Sequence, residues 1–152
     1  MENLIIRPMQ DSDIPEVSRL EEAAFSMPWS ADAFREMLVR EDALYLVAFR
    51  EGKVLGVCGL HQSFESGEIT NVSVAQDLRC SGIGTRLMAE ILHAAVKRGI
   101  SQVLLEVRVS NDAAVHLYEK CGFRVIGRRR DFYENPWEDA YVMECILPPE
   151  KS

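Results

Sequence analysis

Three features of this chain are of a kind that does chemistry. Two glycines spaced two apart, Gly82 and Gly84, follow an apolar alternation ending in Val72-Ser73-Val74 and open a long amphipathic stretch, with Arg79 just ahead of them. A strand that turns through glycines into a helix leaves the helix's first N–H groups without intrahelical partners. They point one way, at the positive end of the macrodipole, and make a seat for phosphate. Second, Glu106 is a lone carboxylate in the apolar run Val103 to Val107. Burying a carboxylate is costly unless it is paired or used, so Glu106 is a candidate general base, or else it turns out to solvent or pairs with Arg108. Third, Tyr118 stands on the last full turn of a short helical pattern, where its hydroxyl could protonate a leaving group. By itself it reads first as a core aromatic with a satisfied hydroxyl.

The loop does not match the commoner nucleotide sites. A P-loop ends in Gly-Lys-Ser or Gly-Lys-Thr, and here the residues are Gly84-Thr85-Arg86. A dinucleotide fingerprint needs a third glycine three residues on, where this chain has Leu87. A plain strand-to-helix turn therefore stays open for the loop alone. Cys80 lies within it, either as a reactive thiol or as one merely tolerated there.

These residues need elements to hold them. An apolar strand over 3–7 stops at Pro8, and Asp11 or Ser12 caps a helix carrying Ile14, Val17, Leu20 and Ala24 at helical spacing. Ser30 caps a second helix over 31–39, with Trp29 set to pack on Phe34 as a hydrophobic staple. Strands over 43–50, 54–61 and 68–74 are joined by turns at 51–53 and at Ser66-Gly67. The glycine loop opens a helix over 83–98 that Gly99 stops, and a nearly continuous apolar strand over 102–107 follows, as a crossover between parallel strands predicts. Ser110 caps a helix running to Lys120, and strands over 123–130 and 140–147 form a last hairpin whose loop carries Tyr133, Asn135, Pro136 and Trp137. The pattern is α/β, a mixed sheet with helices on both faces, in a single domain spanning 1–152.

Composition narrows the function classes. The chain has 152 residues, 24 of them acidic against 17 basic, for a formal charge of -7. A protein that grips nucleic acid through phosphates normally shows a basic face; the only local run here, Arg128 to Arg130, reads as an ion-paired strand end. No segment approaches the ~20 apolar residues of a membrane span, and the amino terminus lacks a signal-peptide pattern, so a soluble cytoplasmic protein is expected. Cys58, Cys80, Cys121 and Cys145 lack paired spacing, and His61, His93 and His116 are scattered; no metal site is expected.

The pattern Arg79-x-x-Gly82-Ile83-Gly84, then the helix, the strand SQVLLEV, Asn111, Ala114, Leu117, Tyr118 and the Cys-Gly-Phe at 121–123, resembles the acyl-CoA-binding core of the GNAT N-acetyltransferases. The likeness continues through FSMPWS at 25–30 and RRRDFYENPWEDAYVM at 128–143 into the branch that acetylates the amino-terminal alanine of bacterial ribosomal proteins. It implies the GNAT fold: a mostly antiparallel sheet whose central strands, ending at Val74 and Val107, are parallel and splay apart around the cofactor. It implies acetyl-CoA as cosubstrate and no metal. The matching cofactor positions are Val72, Ser73 and Val74 through their backbone, then Arg79, Cys80, Ser81, Gly82, Ile83, Gly84, Thr85 and Asn111. Glu106 matches the general base, acting through water, Tyr118 the general acid, and Tyr133 a tyrosine set against the substrate backbone. The implied partner is a protein amino terminus, that of a ribosomal protein, rather than nucleic acid or membrane. Two departures stand out: Arg79 replaces a frequent Gln, and the loop FYENPWEDA has its own form. A GNAT acting on lysine or a small amine, and a non-catalytic acyl-CoA-binding module, are the other readings. The joint presence of Glu106 and Tyr118 disfavours the last.

Overall fold

A computed structural model describes residues 3–79 and 81–150. The elements run β1 (Ile5–Pro8), α1 (Ile14–Ala24), α2 (Ala31–Met37), β2 (Ala43–Arg50), β3 (Lys53–Ser63), β4 (Ser66–Val74), α3 (Ile83–Lys97), β5 (Gln102–Arg108), α4 (Asp112–Lys120), β6 (Arg124–Tyr133) and β7 (Glu138–Ile146). All seven strands join one sheet in the order β1-β2-β3-β4-β5-β7-β6. Among the described residues β4 and β5 are the one pair of parallel neighbours, with α3 carrying the chain back to start β5 beside β4; α4 makes a similar return from β5 to β6, but β7 then fills the place between them.

The helices divide between the faces. On one face α3 buries Ile83, Leu87, Met88, Ile91 and Ala95 over β2, β3 and β4, with α4 beside it adding Leu117 and Tyr118. Each large apolar side chain so buried contributes roughly 1.5 to 3 kcal/mol, which makes packing rather than propensity the main support of α3. On the other face α1 and α2 cover Tyr45, Val47, Val54 and Val57. Ser30 caps α2 by accepting the Ala33 N–H at 3.1 Å, and the Trp29 and Phe34 rings lie 5.5 Å apart, as the staple predicts.

Several boundaries differ from the sequence reading. A 3-10 turn over Asp11–Asp13 precedes α1, and the carboxylate that serves it is Asp13, which accepts the Gln10 N–H at 2.7 Å and pairs with Arg7. Asn111, not Ser110, caps α4, its side-chain oxygen accepting the Ala114 N–H at 3.1 Å. Tyr133 ends β6 instead of lying in the loop after it. In β4, Gly59 of β3 pairs with Asn71 while Leu60 pairs with Ile69, so Thr70 is an extra residue in a bulge. The bulge reverses the alternation. Ile69 packs with α3, whereas the side chains of both Thr70 and Asn71 reach Tyr45 on the α1 face.

Candidate functional site

The strands that flank the site meet and then separate. β4 and β5 pair at Ser66 with Gln102, Gly67 with Val103 and Glu68 with Leu104, and no further. Beyond that point β5 stays paired to β7 as far as Arg108, and β4 stays paired to β3 as far as Val74. The facing edges of 69–74 and 105–108 are thus an opening within an otherwise continuous sheet, and the backbone there is free to bond an extended ligand as an added strand would. Val72 and Val74 are half-buried against the α3 face, and Ser73 is buried with a hydroxyl that finds no partner among the described residues.

The end of this opening is the start of α3. Gly82 is its N-cap, with φ +94° and no side-chain cap, so among the described residues the N–H groups of Ile83, Gly84 and Thr85 keep no capping partner. The two glycines do different work. A Cβ at Gly82 would meet nothing within 4 Å, and this position needs glycine for its left-handed backbone. A Cβ at Gly84 would stand 3.2 Å from Leu117 Cδ2 and 3.8 Å from Val74 Cγ2, so Gly84 lets α3 approach α4 and β4. Ile83 is a core residue; Arg79 and Ser81 are exposed, and Thr85 is half-buried. Cys80, placed at this seat by the sequence, lies outside the described residues. Asn111 is exposed, with its oxygen committed to capping α4 and its amide nitrogen free to donate among the described residues.

Alternation along β5 sets Glu106 and Tyr118 on opposite sides of the opening. Leu105 and Val107 join the α3 core, so Glu106 and Arg108 project to the α1 face, while Tyr118 is buried on the α4 side in edge contact with Phe123. The Glu106 carboxyl dissociates above the ordinary glutamate range, mainly because burial disfavours its charge and secondly because Glu68 is near; Arg129, 3.7 Å away, opposes this. Its ion-pair partner is therefore Arg129, not the adjacent Arg108. Burial also raises the Tyr118 hydroxyl far above its ordinary value, so it holds its proton at neutral pH. The Tyr133 hydroxyl is pushed up to about 12, by burial first and the Glu106 charge second. Tyr133 thus sits within electrostatic reach of both other residues. A cavity of about 120 Å³ opens beside it, between Phe25, Ser26 and Met27 on one wall and Phe132, Tyr133 and Glu134 on the other, with Arg108 at its base.

One cluster behind β4 was not anticipated. Glu21 is 1% exposed, and both its carboxylate oxygens accept from the Asn71 amide, at 2.9 and 3.1 Å. Tyr45 donates to the Asn71 oxygen at 2.8 Å and has His61 Nε2 and Thr70 Oγ1 each at 3.0 Å. Desolvation lifts Glu21 to about 7, which the Asn71 hydrogen bond only partly offsets. A signal existed in the sequence: Glu21 continues the stripe Ile14, Val17, which is the buried face of α1.

Among the described residues no group of three His, Cys, Asp or Glu side chains could hold a metal, and no helix is long and apolar enough to cross a membrane.

Known proteins share this architecture. The model of the acetyltransferase (GNAT) family matches residues 14–123. A Bacillus subtilis protein provisionally named ribosomal protein bS18-alanine N-acetyltransferase is 33% identical over 139 residues, covering 91% of this chain and 92% of the relative. The ribosomal protein bS18-alanine N-acetyltransferase of Escherichia coli K12 is 30% identical over 140 residues, covering 91% and 94%. The crystal structure of the Escherichia coli ribosomal-protein-S18-alanine N-acetyltransferase superposes with a TM-score of 0.87 at 28% identity, over 98% of this chain and 97% of that one.

Proposed function

This chain belongs to the GNAT acetyltransferase family, and we propose that it transfers an acetyl group from acetyl-CoA to the amino-terminal α-amine of a protein, an alanine of a small-subunit ribosomal protein in the cytoplasm. The observation that carries the acceptor is the match to ribosomal-protein-alanine N-acetyltransferases along nine-tenths of both chains, which takes in the walls of the cavity as well as the glycine loop.

Bound acetyl-CoA supplies an activated thioester; the chain supplies the rest. Two features fit it: the uncapped start of α3 suits a pyrophosphate, and the free edge of β4 suits an amide-bearing arm. The N–H groups of Ile83, Gly84 and Thr85 would hold the pyrophosphate, with Cys80, Ser81 and Gly82 forming the loop around it and Arg79 adding charge, and Val72, Ser73 and Val74 would bond the arm through their backbone. Ile83 anchors the loop to the core, and Asn111 offers its amide to the cofactor.

Glu106 removes a proton from the incoming amine through a bridging water. Its raised dissociation makes it a better acceptor than an exposed glutamate. Tyr118, kept protonated by burial, gives its proton to the departing thiolate from the other side of the opening. Tyr133 borders the acceptor cavity and orients the substrate backbone. The α-amine suits this arrangement. With a pKa near 8 it is about 20% neutral at about pH 7.4, whereas a lysine amine is only about a thousandth neutral there.

The test is a pair of peptides sharing one sequence and one lysine, the first with a free amino-terminal alanine and the second with that amine blocked. Mass spectrometry should find one acetyl group on the alanine nitrogen of the first and none on the second. Label on lysine in both would replace this reading with an ε-amine acetyltransferase.

A further inference from the structure

Arg108 closes β5, and its guanidinium, 23% exposed, is divided among four acceptors, one between α1 and α2 and three within 134–138. Nη1 donates to the Pro136 carbonyl at 3.0 Å and to Glu138 Oε1 at 3.2 Å; Nη2 donates to the Ser26 hydroxyl at 3.1 Å and the Glu134 carbonyl at 3.0 Å. The Ser26 hydroxyl in turn donates to the Glu134 carbonyl at 3.1 Å, and the guanidinium carbon stacks 4.5 Å from the centre of the Tyr133 ring. Glu138 is itself fixed, its other oxygen accepting the Ser110 N–H at 2.8 Å.

Ser26 lies between α1 and α2, and Glu134 and Pro136 lie in the turn between β6 and β7. These segments form the two walls of the cavity beside Tyr133. Among the described residues, the only hydrogen bonds that join the walls are those made by Arg108 and the one from Ser26 to Glu134. Neither segment has strand or helix bonds across the cavity to hold it there. Arg108 also projects from the same face of β5 as Glu106, two residues back, so the group that spaces the walls is in rigid register with the base.

We propose that Arg108 is a positioning residue for the acceptor: by clamping the α1–α2 connection to the β6–β7 turn it sets the width of the cavity, and with it the size of terminal residue admitted and the line along which the amine approaches Glu106. This rests on the acceptor reading above. The chemistry calls for arginine. A planar fork can serve four acceptors in two directions while stacking on an aromatic ring; an ammonium on a flexible stem cannot.

The test uses the full chain, with one peptide sequence carrying Ala, Ser, Leu or Phe at its free amino terminus, and the variants Arg108→Met, Arg108→Lys and Ser26→Ala. In Arg108→Met, kcat/KM for the alanine peptide should fall about 10- to 10²-fold, as expected when a positioning contact is lost, with most of the change in KM. The acetyl-CoA Kd by calorimetry should be unchanged, and the preference for small over large terminal residues should shrink. Arg108→Lys should not restore the preference, and Ser26→Ala should move it the same way by less. A folded Arg108→Met with wild-type acceptor kinetics overturns the inference, as does a loss spread equally over all four peptides with weaker acetyl-CoA binding. If Arg108→Met does not fold, an unchanged preference in Ser26→Ala overturns it. A wild-type protein inactive on every α-amine peptide refutes the acceptor reading instead, which separates the two failures.

Discussion

Replacing Glu21 by Gln should change how stability depends on pH, by an amount that the surroundings of Glu21 set. The carboxyl is 1% exposed, its one hydrogen-bonding side chain among the described residues is the neutral Asn71 amide, and its dissociation is lifted from the usual 4.5 to about 7. Between these values the folded chain holds a proton that the unfolded chain has released. Stability from this group is full below about 4.5 and is lost as pH rises through about 7, at ~1.4 kcal/mol per pH unit, or ~3 kcal/mol over the interval. Gln keeps the shape and can still accept from Asn71, but exchanges no proton. The variant should therefore gain on the wild type by ~3 kcal/mol between pH 5 and pH 8, a relative shift in urea midpoint of about 1 to 2 M. Taking the difference cancels His61 and Glu106, which titrate in both proteins. Urea unfolding read from tryptophan fluorescence, at four pH values across that range, measures it. Parallel midpoint curves for the two proteins would refute the reasoning, and would mean that Glu21 carries its charge in the fold at an ordinary pKa.

Three other outcomes are expected. Tyr118→Phe should lower kcat by ~10² to 10⁴-fold with the acetyl-CoA Kd unchanged by calorimetry, since it removes a proton donor and little volume. In the wild type kcat/KM should rise with pH through the Glu106 dissociation, because the ionised form is the base; Glu106→Gln should abolish that limb of the pH profile along with most of the rate. Gly82→Val should weaken acetyl-CoA binding by calorimetry, since it forces a β-branched residue to φ +94° at the seat; it is a cleaner probe than Gly84, where an added side chain also collides with Leu117.

The elements of the proposed cofactor side were legible in the sequence, and those of the proposed acceptor side largely were not. The strand, glycine loop and α3 are consecutive, so phosphate seating follows from residues within a dozen positions of one another, and the parting of β4 from β5 came with the family likeness. The glycines illustrate the limit. Both were assigned to the phosphate, yet only Gly82 has the backbone angle that demands glycine, while Gly84 answers to Leu117, 33 positions away. The acceptor cavity is assembled from contacts over far longer spans: Ser26 to Glu134 spans 108 residues, Arg108 to Ser26 spans 82. No spacing rule connects those. Glu106 was suspected of pairing with Arg108, and the two do share a face of β5, but the Arg108 guanidinium is taken up by Ser26, Glu134, Pro136 and Glu138, and sheet order brings Arg129 of β6 to Glu106 instead.

The same order explains why a buried acid sits behind β4. A strand in mid-sheet is normally held from both edges, but β4 beyond Glu68 is held from one, since its other edge is given up to the opening. A bulge at Thr70 in that half-supported stretch adds a residue whose register the ladder does not fix. The missing restraint comes from the face instead. Asn71 reaches through to Glu21 on α1 and to Tyr45 on β2, and Tyr45 also takes up Thr70, so both residues of the bulge are bonded to elements outside β3 and β4. Gly59 makes room for this: a Cβ there would run into the Tyr45 ring. A neutral network would do the same at lower desolvation cost, and a glutamate in its place makes this hold on the bulge depend on pH, since burial lifts its dissociation to about 7.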